Sequence, residues 1–372
     1  MASGIRPQRA IVGLIFLFVV LGLTGASARL AMFALSPLRQ IPADGIIIEV
    51  FKGQSPKDIS RLLVKDGAIA PENERLFRIL GRVGRYWRRV KAGEYRITQN
   101  NTPVQIFSAL VSGISIIHPV TVREGENMYE IAKAVAAEGL GQEEAFLKLC
   151  HDPKITASFG LEPEVKSVEG YLFPDTYYFN KTMSLEDMLH QMHREFSSAW
   201  TAELAARAKA IGFTRHQTIT LASIIEKETG AASERPMISS VFHNRLTAHM
   251  RLQSDPTTIY GMWDRFTGKI HKTDLLADSP YNTYTIPGLP IGPISNPGRE
   301  SIRAALYPAQ SDYLFFVSHN DGTHQFSHSY EDHQNAVRKF QLDPAAREGK
   351  SWRDLAPAES KRESAHPKSI SN

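Results

Sequence analysis

The chain has 372 residues, 42% of them hydrophobic and 22% charged. That is enough apolar material for packed cores and excludes a disordered chain, and the length suggests two or three domains. A net charge of +4 is too small to make nucleic acid the default partner. The single cysteine, Cys150, excludes an internal disulfide framework and a Cys-based zinc site.

Taken in chain order, the first feature is the run Ala10 to Ala28, nineteen residues without a charge, preceded by Arg6 and Arg9. A membrane-spanning helix needs roughly 20 apolar residues. Ala26-Ser27-Ala28 also fits the cleavage site of an export signal. The length of the run favours an uncleaved signal anchor, and either reading exports the rest of the chain. The expected layout is a cytoplasmic segment 1–9, a span 10–29, and a connector 30–44 broken by Pro37 and Pro42. An exported body with one unpaired cysteine suits a periplasmic or cell-surface protein without disulfides, and with the anchor the expected location is the cell (inner) membrane with the body on its periplasmic side.

An internal echo follows. Ile48 to Gly53 leads into Ser55-Pro56-Lys57-Asp58-Ile59, and 72 residues later Val120 to Gly125 leads into Asn127-Met128-Tyr129-Glu130-Ile131. Each copy reads as a strand, a glycine turn and a capped helix. Ser55 caps the first with Pro56 in its first turn, and Asn127 with Glu130 approaches a capping box in the second. The pattern V-x-x-G-x-S/N-x-x-x-I-A resembles the LysM module, a small βααβ peptidoglycan-binding unit. The alternative is two unrelated strand-turn-helix pieces. The segment 45–140 is therefore expected to be a LysM-like subdomain. Between the copies, Arg82, Arg85, Arg88, Arg89 and Lys91 alternate with Tyr86 and Trp87. Such a stretch is a solvated helix face or a site for an anionic partner. Lys91 to Ile97 reads as a turn into a strand.

From Ser184 to Gly230 apolar residues recur at helical spacing. From Arg251 to about His333, Gly, Pro, Asn and Thr rise, which predicts loop-rich β structure forming a groove. The segment 141–342 is expected to be the catalytic domain, and 343–372 a polar, disordered tail.

The chemistry concentrates between Thr214 and Gly230. Thr214 with Gln217 forms a capping box and Gly230 ends the helix. Two carboxylates lie inside it. Glu228 shares a stripe with Leu221, Ile224 and Ile225, whereas Glu226 points about 160° away, beside Ser223 and Ile219. A glutamate on an apolar stripe is costly to ionise, so its pKa rises toward the range a general acid needs. The alternative is a structural ion pair of Glu228 with Arg235 or Arg245.

The strings around it are distinctive: Leu221 to Thr229 (LASIIEKET), Ser233-Glu234-Arg235, Val241 to Leu246 (VFHNRL), Met250 to Thr257 (MRLQSDPT), Tyr281 to Thr285 (YNTYT), Gly288-Leu289-Pro290 and Pro297-Gly298. In this order they closely resemble the endolytic murein transglycosylase (MltG, YceG-like) family, from the anchor to about Val337. The resemblance implies a peptidoglycan lyase whose catalytic glutamate is the second Glu of E-K-E-T, here Glu228. It also implies action on nascent glycan strands outside the cytoplasmic membrane, with termination of glycan polymerisation beside penicillin-binding synthases. The expected fold is α+β: a transmembrane helix, a LysM-like α/β subdomain, and a helical plus β catalytic domain with a glutamate helix like that of lytic transglycosylases.

Candidate groove residues are Asn244, Arg245, Gln253 and Asp255 for sugar hydroxyls, Asn282, Thr283 and Tyr284 for hydrogen bonds and stacking, and His324. Asp255 has two other readings, a turn or helix cap and a second carboxylate for ordinary hydrolysis. His319, His324, His328 and His333 crowd a short stretch but match no metal-ligand spacing, so no metal or cofactor is expected. Two rivals remain on these grounds, a muramidase that uses water and a non-catalytic peptidoglycan-binding scaffold.

Overall fold

The computed structural model describes residues 6–38 and 41–343. The first five residues and the expected tail beyond Asp343 lie outside them. The chain forms two compact units.

The first unit comprises residues up to Pro119 with Glu138–Leu140 and Tyr178–Ser184. It contains α1 (Arg6–Leu35), β1 (Ile46–Val50), α2 (Pro56–Lys65), α3 (Glu74–Val83), β2 (Gly93–Ile97) and α4 (Pro103–Ser112). β1 and β2 pair antiparallel, with Ile48 opposite Tyr95, so β1, α2, α3 and β2 form a β-α-α-β unit. Ser55 and Asp58 make the reciprocal capping box that starts α2, and Gly53 takes the left-handed conformation (φ 87°) that the turn requires. The core holds Ile48, Leu63, Phe77, Ile97, Ile106 and Phe107. Phe107 stacks on Phe77 with centroids 4.3 Å apart.

Helix α1 continues through the expected start of the connector. Its last turns join the core through Leu30, Phe33 and Ala34, and Ile41 joins them from the connector. The side chains of residues 6–11, 13–15 and 18 lie outside the described set. Among the described residues no helix is long and apolar enough to cross a membrane. The Arg-rich stretch is not one helix face: α3 ends at Val83, and Arg85 (φ 54°) begins a run of turns.

The second unit comprises Val120–Ala137, Gly141–Tyr177 and the chain from Leu185 onward. The echo copy at Val120, expected in the first domain, is therefore grouped here. The elements are β3 (His118–Val122) and β4 (Asp175–Phe179), of which His118, Pro119, Tyr178 and Phe179 are grouped with the first unit, and α5 (Met128–Ala137), α6 (Glu143–Cys150), α7 (Pro153–Ser158), α8 (Leu185–Ala199), α9 (Ala202–Ala210), α10 (Arg215–Glu228) and α11 (Arg235–Thr247). They continue with α12 (Asp255–Gly261), α13 (Lys272–Leu275), α14 (Arg299–Leu306), β5 (Phe315–Ser318), β6 (His324–Ser327) and α15 (Tyr330–Val337). β3 pairs with β4, and β5 with β6. The echo is structural: Gly125 (φ 79°) repeats the turn, and Asn127 Oδ1 accepts from the Tyr129 and Glu130 backbone while Glu130 accepts from the Asn127 N–H.

The stretch between Arg251 and His333 is loop-rich and lines a cleft, as expected, but its expected β structure is corrected. Among the described residues that stretch holds three α-helices, a 3-10 turn at Trp263–Arg265, a single hairpin and the first turn of α15. Its Asn, Thr and Ser side chains bond backbone groups in irregular turns, a role that composition does not separate from strand capping. Helix α10 is the centre of the unit. Every residue from Thr218 to Ile225 is buried, so the helix is enclosed on all sides by α9, α11, α12 and α14. Nearby, the buried Glu169 carboxylate accepts hydrogen bonds from the Met128 N–H, the Tyr260 hydroxyl and the Asn296 amide. It thereby joins three distant segments.

Candidate active site

Glu228 is the last residue of α10. Thr214 starts that helix through the capping box with Gln217, and Thr229 ends it in extended conformation. A Cβ on the next residue, Gly230, would lie 2.4 Å from the Gly322 carbonyl oxygen. Only glycine admits the β5–β6 turn this close to the chain leaving Glu228.

Glu228 faces a cleft of about 410 Å³, lined also by Phe242, Arg245, Leu252, Gln253, Asp255, Tyr284, Phe315, Phe316, Tyr330 and His333. Burial raises its carboxyl pKa to about 7. The Ser254 hydroxyl, donating to Glu228 Oε1 at 2.6 Å, pulls the other way. The Asp255 charge adds to the rise and Arg245 opposes it. A carboxyl held near neutrality can give and recover a proton at physiological pH.

Ser254 occupies the N-cap position of α12 yet caps nothing with its side chain, because its hydroxyl goes to Glu228. Its own N–H donates to Thr283 Oγ1 at 3.0 Å, and Thr257 bonds both the Ser254 carbonyl and Thr283. Thr283 therefore holds Ser254 in place. Gln253, just before it, sits at φ 49°, a strained conformation for a residue with a side chain. Its N–H donates to the Thr283 carbonyl.

The ion-pair alternative resolves differently for the two carboxylates. Arg235 pairs with Glu226 at 3.6 Å, and Glu226 also accepts the Gly298 N–H at 2.9 Å. Glu226 is thus a buried structural anchor. Arg245 donates to the Leu314 and Leu252 carbonyls, each at 2.7 Å, and lies over the Phe315 ring. It bolts the strand-bearing segment to the loop that carries Ser254 and keeps its charge near Glu228.

The predicted groove residues divide. Arg245, Gln253, Asp255 and Tyr284 line the cleft, with the Tyr284 hydroxyl donating to Asp255 at 2.7 Å. Asn244 is turned to the fold, where its amide donates to the Ser311 and Tyr313 carbonyls. Asn282 is buried and donates to the carbonyls of Leu275 and Ala277 while accepting from Thr258 and the Tyr284 N–H. Thr283 is buried beneath Ser254. His324 pairs with Glu234 at 2.8 Å and does not line the cleft. These four point away because each has a backbone or ionic partner closer than the cleft.

The crowded histidines disperse. His319 bonds Thr323, His328 pairs with Asp312, and His333 alone lines the cleft. His333 stacks on Phe315 and its buried Nδ1 has no hydrogen-bond partner among the described residues, while burial lowers its pKa. Sequence reading missed Phe242, Leu252, Phe315, Phe316, Tyr330 and His333 as cleft residues. They lie between 14 and 105 positions from Glu228, and no local pattern links them.

The arrangement is that of an acid–base site built around one protonatable carboxyl at a helix terminus, with an aromatic wall. Residues 48–339 match the model of the YceG-like family. The chain is 32% identical over 322 residues to a Bacillus subtilis protein named endolytic murein transglycosylase, covering 82% of this chain and 88% of that one. A Streptococcus pneumoniae protein of the same name is 25% identical over 326 residues, covering 78% of this chain and 58% of its own length. This chain thus spans less than two thirds of the pneumococcal relative. A crystal structure of a YceG-like protein from Listeria monocytogenes matches with a TM-score of 0.55 at 33% identity, covering 79% of this chain and 100% of that one. The chain belongs to the YceG-like family.

Proposed function

We propose that this chain is an endolytic peptidoglycan lytic transglycosylase with Glu228 as its single acid–base residue. The observation that carries the assignment is a carboxyl raised to about 7, facing a cleft of sugar-sized volume, in a chain whose relatives are named murein transglycosylases. Protonated Glu228 gives its proton to the oxygen linking N-acetylmuramic acid to N-acetylglucosamine. The muramic acetamido group helps carry the positive charge at C1. The Glu228 carboxylate then takes the proton of the C6 hydroxyl of the same sugar, and that oxygen closes on C1. The product is a 1,6-anhydro end, no water is consumed, and the carboxyl is protonated again. Ser254 steadies the carboxylate between the two steps, and Phe315, Phe316 and Tyr284 offer ring faces to the sugars.

The β-α-α-β arrangement of the first unit supports the LysM-like reading. The anchor reading is supported by the uncharged run from Ala10 to Ala28 and by α1, whose Phe16, Leu17, Leu21 and Leu23 are more than half exposed. Exposed apolar side chains on a helix are stable when lipid surrounds them. The catalytic unit then works outside the cytoplasm of the inner membrane, on strands emerging beside penicillin-binding synthases.

Digestion of glycan strands followed by mass spectrometry tests the reaction. Products lighter by one water than reducing-end fragments are expected, and none from Glu228→Gln. Reducing ends alone would replace the lyase with a muramidase. Binding of strands without cleavage by the unaltered protein would leave only a scaffold.

A further inference from the structure

The strongest charge asymmetry in the molecule lies far from the catalytic cleft in sequence and plays no part in its chemistry. Residues 55–91 carry ten Lys and Arg against four Asp and Glu, whereas the whole chain carries 43 against 39. The excess in these 37 residues exceeds that of the entire chain. Lys57, Arg75, Arg78, Arg82, Arg85 and Arg88 line two adjoining cavities of about 570 and 470 Å³ that share Arg82 and Trp87. Arg78 pairs with Glu74 at 3.6 Å. Among the described residues no ion pair engages the other five cations.

Apolar side chains complete the surface. On α3, Arg75, Arg78, Ile79, Arg82 and Val83 fall within an arc of about 140°, opposite the buried Phe77 and Leu80. Ile79 is 40% exposed and Val83 67% exposed. A helix that buries one apolar face and offers solvent a second mixture of arginine and aliphatic side chains has the composition of an interfacial helix. A soluble polyanion would use the cations but leave Ile79 and Val83 in water. A bilayer rich in anionic headgroups takes both, phosphates on the guanidinium groups and acyl-chain roots on the aliphatic ones. α3 also packs against α1, whose Phe16, Leu17, Leu21 and Leu23 are more than half exposed.

We propose that the α3 face of the first unit, with Lys57, Arg85 and Arg88, docks on the surface of a membrane containing anionic phospholipid. Docking holds the β-α-α-β unit against the bilayer instead of leaving it free to pivot on α1. The inference goes beyond the proposed function and needs only part of it, because the basic face attracts anionic lipid whether or not α1 spans.

The test uses the full chain in nanodiscs of neutral lipid or of lipid rich in phosphatidylglycerol, with hydrogen exchange read over residues 74–91. Slower exchange in the anionic discs, abolished by high salt and by Arg75→Gln/Arg82→Gln/Arg85→Gln, is expected. Val83→Ser should weaken the protection while leaving its salt dependence. Equal exchange in both discs overturns the proposal, and so does equal protection by soluble polyglutamate in neutral discs, which would assign the face to an acidic polymer. Loss of the protein from neutral discs would instead mark failure of the anchor reading. In that case partition of the free chain onto vesicles of the same two compositions reads the basic face alone. At about fivefold per cation near an anionic surface, the triple variant should then bind anionic vesicles on the order of a hundredfold more weakly. Equal binding of the triple variant and the unaltered chain overturns the proposal there too. Unchanged cleavage of soluble glycan strands by the variants shows that they remain folded.

Discussion

Replacing Glu228 with Gln should abolish cleavage and, at alkaline pH, make the protein more stable. Burial lifts the Glu228 pKa from 4.5 to about 7, and each unit is worth about 1.4 kcal/mol. Because the folded-state value lies above the unfolded one, the stability contributed by the protonated acid is full below about pH 4.5 and is lost as pH rises through about 7. Fully ionised, the carboxylate costs on the order of 3 kcal/mol. Water reaching the half-buried group from the cleft reduces this, so a gain of roughly 1–3 kcal/mol is expected for the Gln variant at about pH 8.5 relative to about pH 5. The substituted amide keeps an oxygen to accept from Ser254, so the hydrogen bond at 2.6 Å is not the source of the difference. Glu169, also raised to about 7 by burial, titrates in both proteins and cancels in the comparison. Urea unfolding at the two pH values, with activity measured alongside, is the assay. A stability difference that does not grow with pH, or one that favours the unaltered protein at high pH, refutes the idea that Glu228 is held protonated by burial.

Other expectations follow from the same geometry. In the pH profile of kcat/KM, activity should fall as pH rises through about 7, the value for Glu228. Ser254→Ala, which removes a hydrogen bond worth about 1.5–3 kcal/mol to the charged form, should move that limb upward by about one to two units; an unmoved limb would detach Ser254 from the acid. Gly230→Ala places a methyl 2.4 Å from the Gly322 carbonyl oxygen, so kcat should drop and thermal stability fall by about 1–3 kcal/mol. Asn244→Ala, which frees the Ser311 and Tyr313 carbonyls, should cost about 1–3 kcal/mol of stability while leaving KM for glycan strands unchanged. A raised KM with normal stability would return Asn244 to the groove.

Local features were legible in the residue order. The caps at Ser55, Asn127 and Thr214 form as expected, because a cap depends on residues only three apart. The glycine turns of the two echo copies show the same left-handed geometry at Gly53 and Gly125. The helical wheel singled out Glu228 and set Glu226 on the opposite stripe, but did not say what Glu226 meets there. A wheel describes one helix, whereas α10 is enclosed on every side, and only the neighbours decide that Glu226 meets Arg235 and Gly298.

The mildly basic average charge, the apolar N-terminal run, the capped helices and the E-K-E-T glutamate were determined by sequence, since each depends on composition or on residues within a few positions. The tertiary structure alone decided that Ser254 abandons its capping role for Glu228, that Asn282 and Thr283 brace the cleft from behind, and that His333 enters it while His324 does not. Those outcomes depend on which polar partner lies nearest once segments tens of residues apart have packed. That competition is settled by long-range burial, which no short string of residues records.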